Sequence, residues 1–384
     1  MENALKLVGR EVVEVLYSPV KAFRKIIEKP DLKGVILVLL LVIVSTLVLQ
    51  FFYNSKQLYE NRAPEDDGWT ETLTNSHSWV SNGLPSLDKV DYKMGNFEGN
   101  HSVTSFVLDE TSIWLKITDF GSFNCSREKG YNELFFWINW INEDGMSPSL
   151  GVLKLFSGNE DSYFESAITE FSSSSGEWTN ATLKVGSDQD WSSSNSPDWQ
   201  NITGIEFRLV WLDTANLTMK IDGVFFRNFV SPIEALGFGE AMLSLFVSVA
   251  FSVAMNWILW AGIVVIVSKL FGQDLGRWNL FFIIFGHAFI VTAVYTLVSA
   301  LAFSSLPVLS LPLDADLQIA VFNDLWLPNL AYQVGTLILW TGEVWIAALS
   351  AVVIRLMKNI TWGKAATIAA VAFAVRFFLR FFIG

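Results

Sequence analysis

The side chains able to do chemistry in this 384-residue chain are three histidines, one cysteine and an excess of carboxylates. His77, His101 and His287 stand too far apart to read as a zinc set. Cys125 is the single cysteine, so no intrachain disulfide forms. No nucleophile elbow, P-loop or Rossmann glycine pattern occurs. Between residues 57 and 230 there are 26 Asp/Glu against 11 Lys/Arg, a net charge of −15. Two of those acids could serve glycoside hydrolysis, but no spacing marks a pair. The reading is therefore non-enzymatic, with a membrane-tethered glycosidase as a weaker alternative. The acidity also excludes nucleic acid as a partner, because no basic patch could track phosphates.

Binding residues are easier to nominate. Nine of the 16 Trp fall between 57 and 230. Trp69, Trp79, Trp191 and Trp199 lie in polar loops and are the candidate exposed platforms for a ligand such as a sugar ring. Trp114, Trp137, Trp140 and Trp211 sit inside strand-like runs, where burial is the default. Asn100, Asn124, Asn180, Asn201 and Asn216 each open an Asn-x-Ser/Thr triplet and are candidate glycosylation sites.

Two elements must position these residues. "KGVILVLLLVIVSTLVLQFF" carries no charge from Val35 to Phe52, long enough at ~1.5 Å per residue to cross a ~30 Å hydrocarbon core. Thirty-three residues precede the run Gly34–Lys56, and no small-residue cleavage site follows, so it reads as a retained anchor. Further spans are predicted near 241–267, 280–303, 332–354 and 365–384. Lys6, Arg10, Lys21, Arg24, Lys25, Lys29 and Lys33 precede the first span, and Arg355, Lys358 and Lys364 lie between the last two. Asp314, Asp316 and Asp324 occupy the opposite loop. The bias places the N-terminus in the cytoplasm, with the C-terminus and residues 57–230 outside a multi-pass cell membrane protein. The division is thus 1–33 cytoplasmic, 34–56 first helix, 57–230 external domain and 231–384 helices two to five. Glu343 and Arg376 fall ~17 Å deep on neighbouring antiparallel spans and are predicted to form an intramembrane ion pair.

The external segment reads as an all-β sandwich, with strands at 102–108, 112–120, 134–141, 150–157, 163–171, 178–185, 201–212 and 217–229. "GEWTNATLKVG", "DWQNITGIEFRLVW" and "MKIDGVFF" resemble the closing strands of galactose-binding-like jelly rolls, the fold of many carbohydrate-binding modules. The resemblance implies that Asp222 helps to hold a structural calcium ion. By its residues alone, Asp222 also suits the opening of an Asp-Gly turn, and calcium needs several further oxygens. No other cofactor is indicated.

Ahead of the first span, Ser18 is a predicted N-cap with Pro19 at the first helical position. Val20, Phe23 and Ile27 share one face of a basic helix that Pro30 stops, either along the inner leaflet or packed on the bundle. "SPVKAFRKIIEKPDLKG", "VSKLFGQDLGRWNLFFIIFGHAFI" and "LSAVVIRLMKNITWGKAATIAAV" resemble the Yip family of integral membrane proteins, partners of Ypt/Rab GTPases. That resemblance implies a membrane-organising or adaptor role and a small GTPase or other protein as a cytoplasmic partner. The large insertion after the first span departs from the family's short loop. Together the readings give a polytopic α-helical membrane protein of five transmembrane helices with an inserted jelly-roll ectodomain. Its outer partner would be a glycan, an envelope component or a protein, and its acidic, sequon-bearing exterior suits an archaeal cell surface. A small transporter or channel with an external capture domain is the alternative.

Overall fold

The computed structural model of the protein describes residues 12–73, 79–93, 99–126, 130–168, 174–187 and 189–383, with side chains as far as Leu379. Lys6, Arg10 and His77 lie outside the described residues. Contacts divide the chain into two compact units, Met1–Tyr59 with Val230–Gly384, and Glu60–Phe229.

In the helical unit, α1 (Pro19–Glu28) begins with Pro19 in its first turn, but the Ser18 hydroxyl makes no capping hydrogen bond. The proline alone sets this start, its fixed φ suiting a position whose N–H is unpaired in any helix. Phe23 is fully buried in the cluster formed by the bundle, so the apolar face of α1 is covered by protein. The next helix, α2 (Leu32–Ser55), is capped by Asp31, whose carboxylate accepts from Lys33 N at 2.9 Å. It buries Val35, Val38, Val42 and Ser45, a stripe at the three-to-four spacing of one helical face.

After the β unit come α3 (Pro232–Leu236), α4 (Phe238–Leu270) and α5 (Trp278–Gly286). A single 3₁₀ turn at His287–Phe289 carries α5 into α6 (Ile290–Phe303). Then follow α7 (Ala315–Leu325), α8 (Leu330–Lys358) and α9 (Trp362–Ile383). Five segments, Leu32–Ser55, Phe238–Leu270, Trp278–Phe303, Leu330–Lys358 and Trp362–Leu379, are long and apolar enough to cross a membrane. Their outward residues are apolar too. Val44, Phe251, Leu301, Leu337 and Val344 are all more than half exposed, a surface that water would not favour.

β1 (Gln57–Ala63) pairs through Gln57–Tyr59 with Leu309–Leu311 in the helical unit and ends in the second unit, which holds β2 (Trp79–Ser81), β3 (Ser86–Asp88), β4 (Ser102–Phe123), β5 (Glu133–Asn142) and β6 (Leu150–Ser157). That unit continues through β7 (Asn159–Ala167), β8 (Thr179–Lys184), β9 (Ser192–Ser194) and β10 (Ile202–Val230). β4 and β10 each run through both layers of a sandwich. Their antiparallel pairing holds register from Gly204↔Thr118 to Val210↔Ser112, shifts, and resumes from Leu217↔Val107 to Ile221↔Val103. Before the shift β10 also pairs with β6, and after it with β5. The first sheet is therefore β2, the later half of β4, the first half of β10, β6, β7 and β9. The second is β3, the first half of β4, the later half of β10, β5 and β8.

Alternation closes the core between them. Ile113, Leu115 and Ile117 from β4, Ile205, Phe207 and Leu209 from β10, and Leu134, Phe136 and Ile138 from β5 are buried in one cluster. Phe136 of the second sheet meets Phe207 of the first edge-on at 4.8 Å between ring centroids.

Candidate functional site

The same alternation that buries Phe207 and Leu115 turns Trp114, Lys116, Glu206 and Arg208 to the outer side of the first sheet. Strand register then lines them up in rows. One row runs Val80, Lys116, Glu206, Lys154, Glu165 and Ser192, so its charged positions alternate in sign. A second runs Trp114, Arg208, Val152 and Ala167. A third runs Thr118, Gly204, Phe156, Tyr163 and Ser194. A Cβ at Gly204 would stand 3.0 Å from the Phe156 ring, so glycine is what lets that ring lie flat on the sheet.

Electrostatically the face is balanced. Lys116 Nζ is 2.6 Å from Glu160 Oε2, Lys154 Nζ is 3.5 Å from Glu165 Oε2, and Arg208 Nη2 is 2.8 Å from Glu206 Oε1. Lys154 also stands over the Tyr163 ring at 4.4 Å. Arg208 Nε is buried and makes no hydrogen bond, while Glu206 Oε1 is met by Arg208 Nη2. Trp114 and Tyr163 are half-exposed beside these groups. Two aromatic side chains flanking a row of three bases matched by three acids form a surface suited to a neutral polyhydroxyl ligand. A polyanion would meet Glu160, Glu165 and Glu206, and a polycation the three bases.

The outer side of the second sheet is closed by Arg62, Asp67, Thr70, Asp88, Asp91 and Lys93. Lys220 Nζ bonds Asp88 Oδ2 at 2.8 Å and Asp91 Oδ2 at 2.6 Å, and Trp178 Nε1 donates to Asp91 Oδ1. Lys93 covers the Trp137 ring at 4.2 Å, and Arg62 covers Phe225 at 4.2 Å. Burial alone would raise the Asp88 pKa, but the Lys220 ammonium and two backbone N–H groups bring it down to about 2. Burial would likewise depress Lys220, and its two aspartates raise it instead.

Asp222 is fully buried under this cover. Its Oδ2 accepts from Lys93 N at 2.7 Å, and its Oδ1 from Gly223 N at 2.9 Å and Thr70 Oγ1 at 3.3 Å. Thr70 also bonds Asp67 Oδ1, and Asp67 Oδ2 is buried with no hydrogen-bond partner. Burial, then the neighbouring charge of Asp222, pushes the Asp67 carboxyl upward, and burial raises Asp222 as well. A proton or a cation must therefore accompany the pair at neutral pH. Asp67, Asp222 and Thr70 supply oxygen donors that fit a hard cation in kind. No group of three His, Cys, Asp or Glu able to hold a metal occurs among the described residues.

The nominated tryptophans are placed differently from expectation. Trp69, Trp79 and Trp199 are buried, not exposed: Trp79 opens strand β2, which pairs with β4, and Trp69 and Trp199 pack into the sandwich core. Trp79 Nε1 donates to Trp69 O at 2.7 Å, Trp69 stacks on Phe120 at 4.3 Å, and Trp199 stacks on Phe164 at 3.7 Å. Trp191 is half-buried, packed edge-on against Trp199. Conversely, Trp114 and Trp137, assigned to the core as strand residues, point outward from their sheets, whereas Trp140 and Trp211 are buried.

Asn100 and Asn180 are exposed. Asn124, Asn201 and Asn216 are half-buried and hydrogen-bonded, for instance Asn216 Nδ2 to Glu143 Oε2 at 2.8 Å. The Cys125 thiol is buried, and burial raises its pKa. In the helical unit Arg376 bonds Glu343 through both terminal nitrogens, Nη2 to Oε1 at 3.1 Å, and donates to Asn256 Oδ1 at 2.7 Å.

No family model matches this chain, and no curated protein matches it. Solved structures do. A family 11 carbohydrate-binding module from Clostridium thermocellum, in complex with a β-1,3-1,4-mixed-linked tetrasaccharide, is 13% identical, with 45% of this chain and 95% of that one covered and a TM-score of 0.29. A family 29 carbohydrate-binding module is 14% identical over 46% of this chain and 97% of its own, with a TM-score of 0.27. These neighbours are carbohydrate-binding β-sandwiches. An exo-β-agarase is 15% identical, with 44% of this chain but only 24% of the agarase covered and a TM-score of 0.31.

Proposed function

We propose that the chain is a multi-pass cell-membrane protein whose external sandwich binds a neutral glycan on the open face of its first sheet, without enzymatic turnover. One observation carries the reading: Trp114 and Tyr163 stand part-exposed on either side of a ladder in which each of three bases is matched by an acid. Each carboxylate on that face has a cation beside it, which suits recognition better than proton transfer. An envelope glycan is the natural ligand if residues 57–230 lie outside, as the Lys/Arg bias of the loops favours. The membrane-organising or adaptor role, with a cytoplasmic protein partner such as a small GTPase, rests on the three Yip-like segments. A structural calcium ion at Asp67 and Asp222 accompanies this reading, supported by the unpartnered Asp67 Oδ2.

The test is a glycan array of neutral and acidic oligosaccharides probed with the detergent-solubilised chain. Retention of neutral glycans by the native protein and its loss in Trp114→Ala is the expected result. Equal retention by the variant, or preference for acidic glycans, overturns the proposal.

A further inference from the structure

The helical unit contains a cavity of about 370 Å³ between α2, α6 and α8. That volume lies within the ~300–1,000 Å³ range of small-molecule sites. It runs along α8 from Tyr332 to Glu343, eleven residues or ~16 Å. Six hydroxyl-bearing side chains line it: Tyr53, Thr292, Tyr295, Thr296, Tyr332 and Thr336. Thr292 Oγ1 is buried and has no hydrogen-bond partner. Close helix packing shapes the wall, since a Cβ at Gly342 would stand 2.9 Å from Tyr295 Cβ.

Charge narrows the occupant. No Lys, Arg or His lines the cavity, so a phosphate or carboxylate headgroup would find no counter-ion. Glu343, at the deep end, is held by Arg376 in a bidentate pair, and Arg376 is held in turn by Asn256. A cation would have to displace the guanidinium. The Glu343–Arg376 pair thus adds no net charge at that end. A wholly apolar occupant matches this wall less well, because it would leave Thr292 Oγ1 without a partner in a low-dielectric interior. The best match is a neutral molecule rich in hydroxyl groups. At ~30 Å³ of liquid volume per water, the space equals about a dozen waters, the scale of one hexose ring. Trp340 lines the cavity and is 43% exposed, so the cavity wall borders the surface that would meet acyl chains.

We infer that this cavity is a binding site for a neutral, hexose-sized polyhydroxyl group, carried as the headgroup of an outer-leaflet lipid. The inference rests on the reading that these helices span a bilayer. It is separate from the sheet-face site, whose residues belong to the other unit.

The test uses the full chain in phosphatidylcholine nanodiscs doped with monoglucosyl diacylglycerol, with retained lipid read by native mass spectrometry. The native protein is expected to keep one glucolipid per chain. Occupancy should fall about tenfold in the isosteric double variant Thr292→Val with Thr336→Val. Trp114→Ala with Arg208→Ala should leave it unchanged. Thr336→Phe, which fills the space, provides a second reading, and melting curves within a few degrees of native establish that each variant is folded. Displacement of the lipid by free glucose at millimolar concentration supports the same polyhydroxyl chemistry with a soluble source. The inference is overturned if phosphatidylcholine alone is retained equally well, if both cavity variants keep full occupancy, or if the loss follows the sheet-face variant. Failure of the chain to insert into nanodiscs removes the bilayer reading, and this site with it.

Discussion

The two outer faces of the sandwich carry similar residues and use them oppositely. Both combine tryptophan, lysine, arginine and acids along strands whose other side is core. On the second sheet, Arg62, Asp67, Thr70, Asp88, Asp91 and Lys93 lie over the strands, and Lys220, Asp222 and Phe225 are buried. Lys220 is held there by two aspartates. On the first sheet the charges pair with one another and lie against aromatic rings with no segment over them among the described residues, and Trp114, Lys116, Lys154 and Tyr163 keep part of their surface in solvent. The contrast teaches that residue type does not separate structure from recognition in this domain. The presence or absence of a covering segment does.

Breaking the closed face should have the largest effect. Lys220→Ala leaves Asp88 and Asp91 facing each other without their ammonium, at a cost of about 2–4 kcal/mol, and glycan binding by the folded fraction should not change. Chemical denaturation beside calorimetry checks both halves of that statement. Trp114→Ala with Arg208→Ala on the open face should do the reverse. Affinity falls about a hundredfold while the melting temperature stays within a few degrees.

Smaller effects sharpen the contrast. The raised Asp67 carboxyl makes stability decline as pH climbs above ~4, because the unfolded chain ionises there before the folded one. Asp67→Asn should therefore flatten the pH profile and raise the melting temperature at pH 8 by roughly 2–4 °C per kcal/mol recovered. If calcium occupies the pair, added calcium stabilises the native chain and leaves this variant unaffected. Asp88, held down to about 2, has the opposite sign: its contribution is full above ~4 and is lost as pH falls towards 2. Smallest of all, Lys116→Gln should alter glycan affinity less than threefold, since the Lys116–Glu160 pair stands at the solvent edge and exposed pairs contribute ~0–1 kcal/mol.

Much of the architecture was legible because periodicity is local. Alternation located the eight strands later found within β4 to β8 and β10, and apolar length located the five long helices. The open face was legible too, had phase been used instead of strand membership. Ile113, Leu115 and Ile117 fix the inward set, so Trp114 and Lys116 must point out. Trp69, Trp79 and Trp199 were illegible for the converse reason. Their neighbours in sequence are polar, and what buries them, Phe120 or Phe164, arrives from elsewhere in the chain. Nothing in "PEDDGWT" separates Asp67 from Asp66, and its partner Asp222 lies in the last strand of the domain.

β10 has a bearing on biosynthesis. Without it the pairings among β2 to β9 fall into three unconnected ribbons: β4 with β2 and β3, β5 with β8, and β6 with β7 and β9. Since β10 joins them all, a chain still emerging from the ribosome can complete the first sheet only once residue 210 has been made, and the second only after residue 227.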